Sequence, residues 1–339
     1  MKDPMVQHAK LMRHAKRTGA IQSGETLAAW QDKARDKLGE LLGIPFEHSH
    51  GAFNVKTLTE RDGYDEYRMA LRTESCFETV ACLRIPTHVP RPMPVIICLQ
   101  GHSKGMHISL GEAKYEGDEQ TICGGDRDFA RQIVNRGYAA LALEQRAFGE
   151  CGGTPEGPDC YQSAMSALLL GRTLIGERVW DVSRAIDMLE AHFPQIDAAR
   201  IAVMGNSGGG TTAIYAAAMD IRIAAAMPSC AFSGFAASIG LQKHCACNYI
   251  PNILRYYDMG DVAGLIAPRP LVVINGKEDT IFPIDAAVAE FAVAQRYYAL
   301  ADAADKCRHL TGPEGHRFYA ALGWPVFDEM TGWRKSVNG

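Results

Sequence analysis

Chemistry is concentrated in RIAVMGNSGGGTTAIYAAA, where an apolar run passes through Gly205-Asn206-Ser207-Gly208-Gly209 into an Ala-rich segment. This is a G-x-S-x-G pattern in a strand-turn-helix setting, the form of a nucleophile elbow. The elbow lifts the serine hydroxyl above a sheet, and the glycines avoid clashes with neighbouring backbone. A serine hydroxyl attacks a carbonyl only when a base takes its proton, so a histidine is required. His316, in LTGPEGHRFY, is the candidate, set after the last strand-like run and beside Gly315. His309 falls in or at the end of that run, and His244 belongs to the segment HCAC. An acid must orient the histidine and stabilise its cation. Asp279, in Lys277-Glu278-Asp279-Thr280 after PLVVING, is the first choice, with Glu278 as the local alternative. A tetrahedral oxyanion also needs two N–H donors. Gly208 follows the nucleophile and supplies one, and His102 in LQGHSKG is the choice for the other.

The elements that must carry these residues can be read from periodicity. Leu27, Trp30, Ala34, Leu38 and Leu41 recur three or four apart, predicting an amphipathic helix between Gly24 and Leu42. YDEYRMALRTES and FETVACLRIP alternate as an antiparallel hairpin should. From PVIICLQG onward, short continuous apolar runs alternate with helical segments, the pattern of strands buried on both faces. A helix is predicted over about 126–136, a single long one over about 162–191, and another over about 284–301. The fold class is therefore α/β, a doubly wound, mostly parallel sheet with helices on both faces. Antiparallel strands lie at its N-terminal edge, beside an extra N-terminal helix. The chain divides into an N-terminal helical extension over 1–50 and a catalytic domain over 51–339. Irregular stretches near 148–160 and 232–261 follow strands, where open sheets bind ligands.

Composition narrows the function. Apolar residues make up 47% of the chain and the net charge is −4, so a sizeable core can be buried and no basic stripe invites nucleic acid. The N-terminal residues lack the apolar stretch of a secretory signal, and no segment is long enough to span a bilayer. Those features predict a cytoplasmic protein without a membrane partner. Ten cysteines in a chain this long read as free thiols. The HCAC segment, His244-Cys245-Ala246-Cys247, suggests a metal fragment, but its C-x-C spacing and the lack of a second ligand pair count against one. Arg146, in ALEQRAFGE, reads as a structural ion-pair residue, and Trp180-Asp181 as helix-to-sheet packing.

Taken together, LQGHSKG, ALEQRAFGE, GNSGGG, HCACNYIPNILRYYDMGDVAGLIAPRPLVVINGKEDTIFP and GPEGHRFY resemble acetyl xylan esterase-like and dienelactone hydrolase-like members of the α/β-hydrolase superfamily. The order Ser207, Asp279, His316 is that superfamily's order. The resemblance covers nearly the whole chain. It implies a serine esterase with that triad, an oxyanion hole at His102 and Gly208, and no cofactor. It also implies a small-molecule substrate, a short-chain acyl ester such as an acetyl group on a carbohydrate. The sequence departs from the family in having Gly208 where the acetyl xylan esterases usually have Gln, and Ser207 where dienelactone hydrolases usually have Cys. Two rival readings are a peptidase or amidase with the same triad and a catalytically silent binding protein on the same fold. A homo-oligomer is left open.

Overall fold

A computed structural model describes residues 3–47 and 52–334. The chain opens with α1 (Pro4–Arg13) and α2 (Leu27–Leu42). The Asp3 carboxylate caps α1 by accepting from the Met5 amide at 2.9 Å. No residue of α1 is buried. The predicted face of α2 packs on the main core: Trp30, Ala34 and Leu38 are buried, Leu27 and Leu41 are half-buried, and Leu42 rather than Leu41 is the fully buried residue of the last turn.

An antiparallel meander follows, made of β1 (Phe53–Arg61), β2 (Tyr64–Glu74) and β3 (Phe77–Pro86). The last two are the predicted hairpin. β1 was not foreseen, because seven of its nine residues are exposed and it shows no buried alternation. After β4 (Met93–Leu99), short helices α3 (His107–Leu110), α4 (Asp118–Gly124) and α5 (Phe129–Asn135) lead to β5 (Ala139–Leu143). Next come α6 (Cys160–Leu169), α7 (Leu174–His192), β6 (Ile196–Asn206), α8 (Gly208–Met219) and β7 (Ile223–Ser229). The chain continues through α9 (Ile253–Tyr256), α10 (Met259–Gly264), β8 (Leu271–Gly276), α11 (Ile284–Leu300), β9 (Cys307–Gly312) and α12 (Ala320–Thr331).

The strands form one sheet in the order β1-β2-β3-β5-β4-β6-β7-β8-β9. β1, β2 and β3 run antiparallel and β3 joins β5 antiparallel, while every pairing from β5 to β9 is parallel. This is the expected architecture. β4 shows why its sequence is continuously apolar: Val95, Ile97 and Leu99 enter one core, and Ile96 and Cys98 enter the core on the opposite face.

The single long helix predicted over 162–191 is a correction. It is two helices, α6 and α7, interrupted where Gly171 takes φ 71° and Thr173 caps α7 through the Gly176 amide at 3.0 Å. The irregular stretch over 232–261 also contains α9 and the start of α10. No helix among the described residues is long and apolar enough to cross a membrane.

Candidate active site

Ser207 occupies the one-residue junction between β6 and α8, with φ 54° and ψ −124°. A side chain in that region is strained, and the surroundings hold it there. The Ser207 amide donates to the Ser229 carbonyl at 2.8 Å, tying the turn to the end of β7. Gly209 packs so closely on the Leu99 carbonyl that a Cβ would collide with it. The loop after β4 presses equally close from the other side, since a Cβ on Gly101 would lie 2.6 Å from the Asn206 carbonyl and 2.9 Å from Ser207 Cβ. As the first residue of α8, Gly208 has an N–H without an intrahelical acceptor. The His102 amide likewise has no hydrogen-bond acceptor among the described residues.

Asp279 and His316 are brought together by the loops after β8 and β9. His316 Nδ1 is 2.8 Å from Asp279 Oδ2. Burial opposes charge on Asp279, but the bond from His316, the histidine's charge and the Phe282 and Ile281 amides outweigh it and lower its pKa. An ionised carboxylate only accepts, so the shared proton belongs to Nδ1 and Nε2 keeps its lone pair. Phe282 stacks on the imidazole at 6.0 Å between centroids, and Arg127 Nη2 donates to the His316 carbonyl at 3.3 Å. Asp279 is buried, whereas the His316 side chain keeps 21% of its accessibility. His316 and the Ser207 hydroxyl are not hydrogen-bonded to each other in the described structure.

The competing residues are otherwise engaged. Glu278 is exposed. His309 lies within β9, its Nε2 3.0 Å from Asn275 Oδ1, and burial pushes its pKa down to about 4. His244 bonds to Asn248 at 3.1 Å and packs on Phe282; burial and the nearby His102 lower it to about 4.

Sequence reading missed the residues that hold the loop after β4. The Gln145 side chain donates to the Gln100 carbonyl and accepts from Thr212 Oγ1 at 2.7 Å, linking that loop to α8. Both Glu144 carboxylate oxygens accept from the Met106 amide, at 3.1 and 3.0 Å. Burial nevertheless raises Glu144 to about 7. Arg146 plays the anticipated structural role, gripping Asp181 through two bonds of 2.8 and 2.7 Å and pairing with Glu74 at 2.7 Å.

A second cluster adjoins the elbow. One ligand atom each from His102, Cys160, Cys245 and Cys247 lies within 4.8 Å of the other three. A Cβ on Gly208 would be 2.7 Å from His102 Cε1, so the imidazole fills the space a larger residue would need. His102 and Cys160, far away in sequence, thus stand beside the two cysteines of HCAC. His244 takes no part.

Sheet order, elbow and the paired acid and histidine define a protein of the α/β-hydrolase fold. The resemblance read from sequence is borne out by known proteins. A family model described as glucuronyl esterase, fungi, matches residues 172–246, which include the elbow. YtaP of Bacillus subtilis (strain 168), provisionally named a hydrolase, is 26% identical over 238 residues, covering 68% of this chain and 75% of its own. A Bacteroides fragilis protein provisionally named an acetyl xylan esterase superposes with a TM-score of 0.73 at 17% identity, over 96% of this chain and 84% of its own. The glucuronoyl esterase from Solibacter usitatus superposes with a TM-score of 0.70, also at 17% identity, over 94% of this chain and 97% of its own.

Proposed function

We propose that this protein is a serine carboxylic-ester hydrolase that uses Ser207, His316 and Asp279 as its catalytic triad. The observation carrying this reading is the strained Ser207 elbow at the same, C-terminal end of the parallel strands as the 2.8 Å Asp279–His316 bond. His316 Nε2 takes the Ser207 proton as Oγ attacks the ester carbonyl. The alcohol leaves with that proton, and water, deprotonated by the same nitrogen, releases the acid from the acyl-enzyme. Asp279 fixes the tautomer and balances the imidazolium. The Gly208 and His102 amides receive the oxyanion, each donor contributing about 2.7–4 kcal/mol of transition-state stabilisation.

The substrate is a small ester, with a short acyl group such as acetyl on a carbohydrate. The acetyl xylan esterase-like neighbour supports this. An ester of a uronic acid is the second reading, favoured by the match over 172–246. The same account treats residues 1–50 as an extension of the catalytic domain at 51–339. It also assigns the protein to the cytoplasm, a setting consistent with ten free thiols, six of them buried.

A fluorophosphonate probe tests the nucleophile: one label per chain at Ser207 is expected, and no labelling of the folded protein would favour a silent binding protein. Acetylated sugars, methyl uronates and peptide anilides, compared by kcat/KM, separate the substrate readings. Faster turnover of the anilides would favour a peptidase.

A further inference from the structure

We infer that His102, Cys160, Cys245 and Cys247 form a structural zinc site that anchors the loop bearing the His102 amide. The four residues come from three separate segments: the loop after β4, the first residue of α6, and the turn at 245–247 between β7 and α9. Their ligand atoms are all mutually within 4.8 Å, and His102 Nε2 is 3.2 Å from Cys247 Sγ. Tetrahedral zinc has Zn–S distances of about 2.3 Å and Zn–N of about 2.0–2.1 Å, so ligand atoms at its corners are separated by about 3.5–3.8 Å. Three cysteines and one histidine are a common structural zinc set, and soft thiolates select this ion over magnesium or calcium.

Charge supplies an independent argument. Arg178 is 1% exposed, yet among the described residues no carboxylate pairs with it. Its Nε and Nη2 donate to the Arg146 carbonyl at 3.1 and 2.7 Å, and Nη2 reaches Cys160 Sγ at 3.3 Å. Nη1 has no hydrogen-bond partner. A buried cation without a counter-charge is costly. Zinc binding releases three thiol protons, and a divalent ion with three thiolates and a neutral imidazole carries a net charge of −1. That charge lies against Arg178.

Four protein ligands close the coordination sphere, leaving no position for substrate or water. The ion is therefore a clip. Coordination through Nε2 places the remaining imidazole proton on Nδ1, toward Gly208, and holds the His102 ring against the elbow. The absence of a side chain at Gly208 is what lets the ring occupy that place.

The test uses the full chain purified without chelator. About one zinc per chain is expected by elemental mass spectrometry, unchanged in Cys76→Ser/Cys123→Ser, whose sites are exposed, and below about one-tenth in Cys245→Ser/Cys247→Ser. Should the latter variant fail to fold, wild-type protein exchanged into cobalt reports the ligands directly. A sulfur-to-cobalt charge-transfer band with intense tetrahedral d–d absorption is expected. Folded wild-type protein retaining less than about one-tenth of a zinc after equilibration with zinc and dialysis would overturn the inference. So would a cobalt spectrum lacking sulfur charge transfer, or a disulfide joining any two of the three cysteines. None of these readouts depends on esterase activity.

Discussion

The elbow and the histidine–cysteine cluster touch at Gly208 and His102, yet they are built in opposite ways. The elbow is a contiguous five-residue device, held by backbone approaches that only glycine allows at Gly101 and Gly209 and by one amide bond to Ser229. The cluster is assembled from positions 102 to 247, with only Cys245 and Cys247 close together in sequence. One region stores its geometry in the chain's own path, the other in the packing of two loops and a helix N-terminus. The proposed triad combines both modes: Ser207 is locally placed, whereas Asp279 and His316 meet only because β8 and β9 are neighbours.

Substitutions can break this contrast. The largest effect is expected from His316→Ala, which removes the base and should lower kcat by about 10⁶-fold, read with p-nitrophenyl acetate. Asp279→Asn keeps the shape but loses the charge and favours the wrong tautomer, for about a 10⁴-fold loss of kcat with KM little changed. Gly208→Ala acts where the two regions meet. Its methyl group displaces the His102 ring, and we expect kcat to fall by about 10²–10³-fold, the cost of one oxyanion donor. An unchanged rate would separate the two regions functionally.

The smallest effect concerns stability. Glu144 has a folded pKa of about 7 against an ordinary 4.5, so folding favours its neutral form. That contribution is complete below pH 4.5 and is lost as pH rises through 7. Wild-type protein should therefore lose up to about 3 kcal/mol relative to Glu144→Gln between pH 4.5 and 8, measured by denaturant unfolding. Parallel stability curves for the two proteins would contradict that assignment.

Most of the sheet was legible because buried strands such as β4 and β8 are short continuous apolar runs with helices between them. Ser207 was legible from its local motif, and Asp279 and His316 from the strand ends they follow. What escaped lacks a local or periodic signal. β1 exposes most of its residues. The break between α6 and α7 was marked by Gly171 and Thr173 but was hidden by helix-forming residues on both sides. Gln145 and Glu144 stood in a segment noticed only for Arg146, because their partners, the Gln100 carbonyl, the Thr212 hydroxyl and the Met106 amide, are distant in sequence. The surroundings of the cysteine pair at 245 and 247 have no sequence signal either. His244 is its sequence neighbour, but His102 is its neighbour in space.

The central claim is that Ser207 performs the acyl transfer, and steady-state hydrolysis of p-nitrophenyl acetate by Ser207→Ala tests it most directly. The account predicts a loss of about 10⁶-fold in kcat with an unchanged circular dichroism spectrum. Turnover within about tenfold of wild type in the folded variant would contradict it.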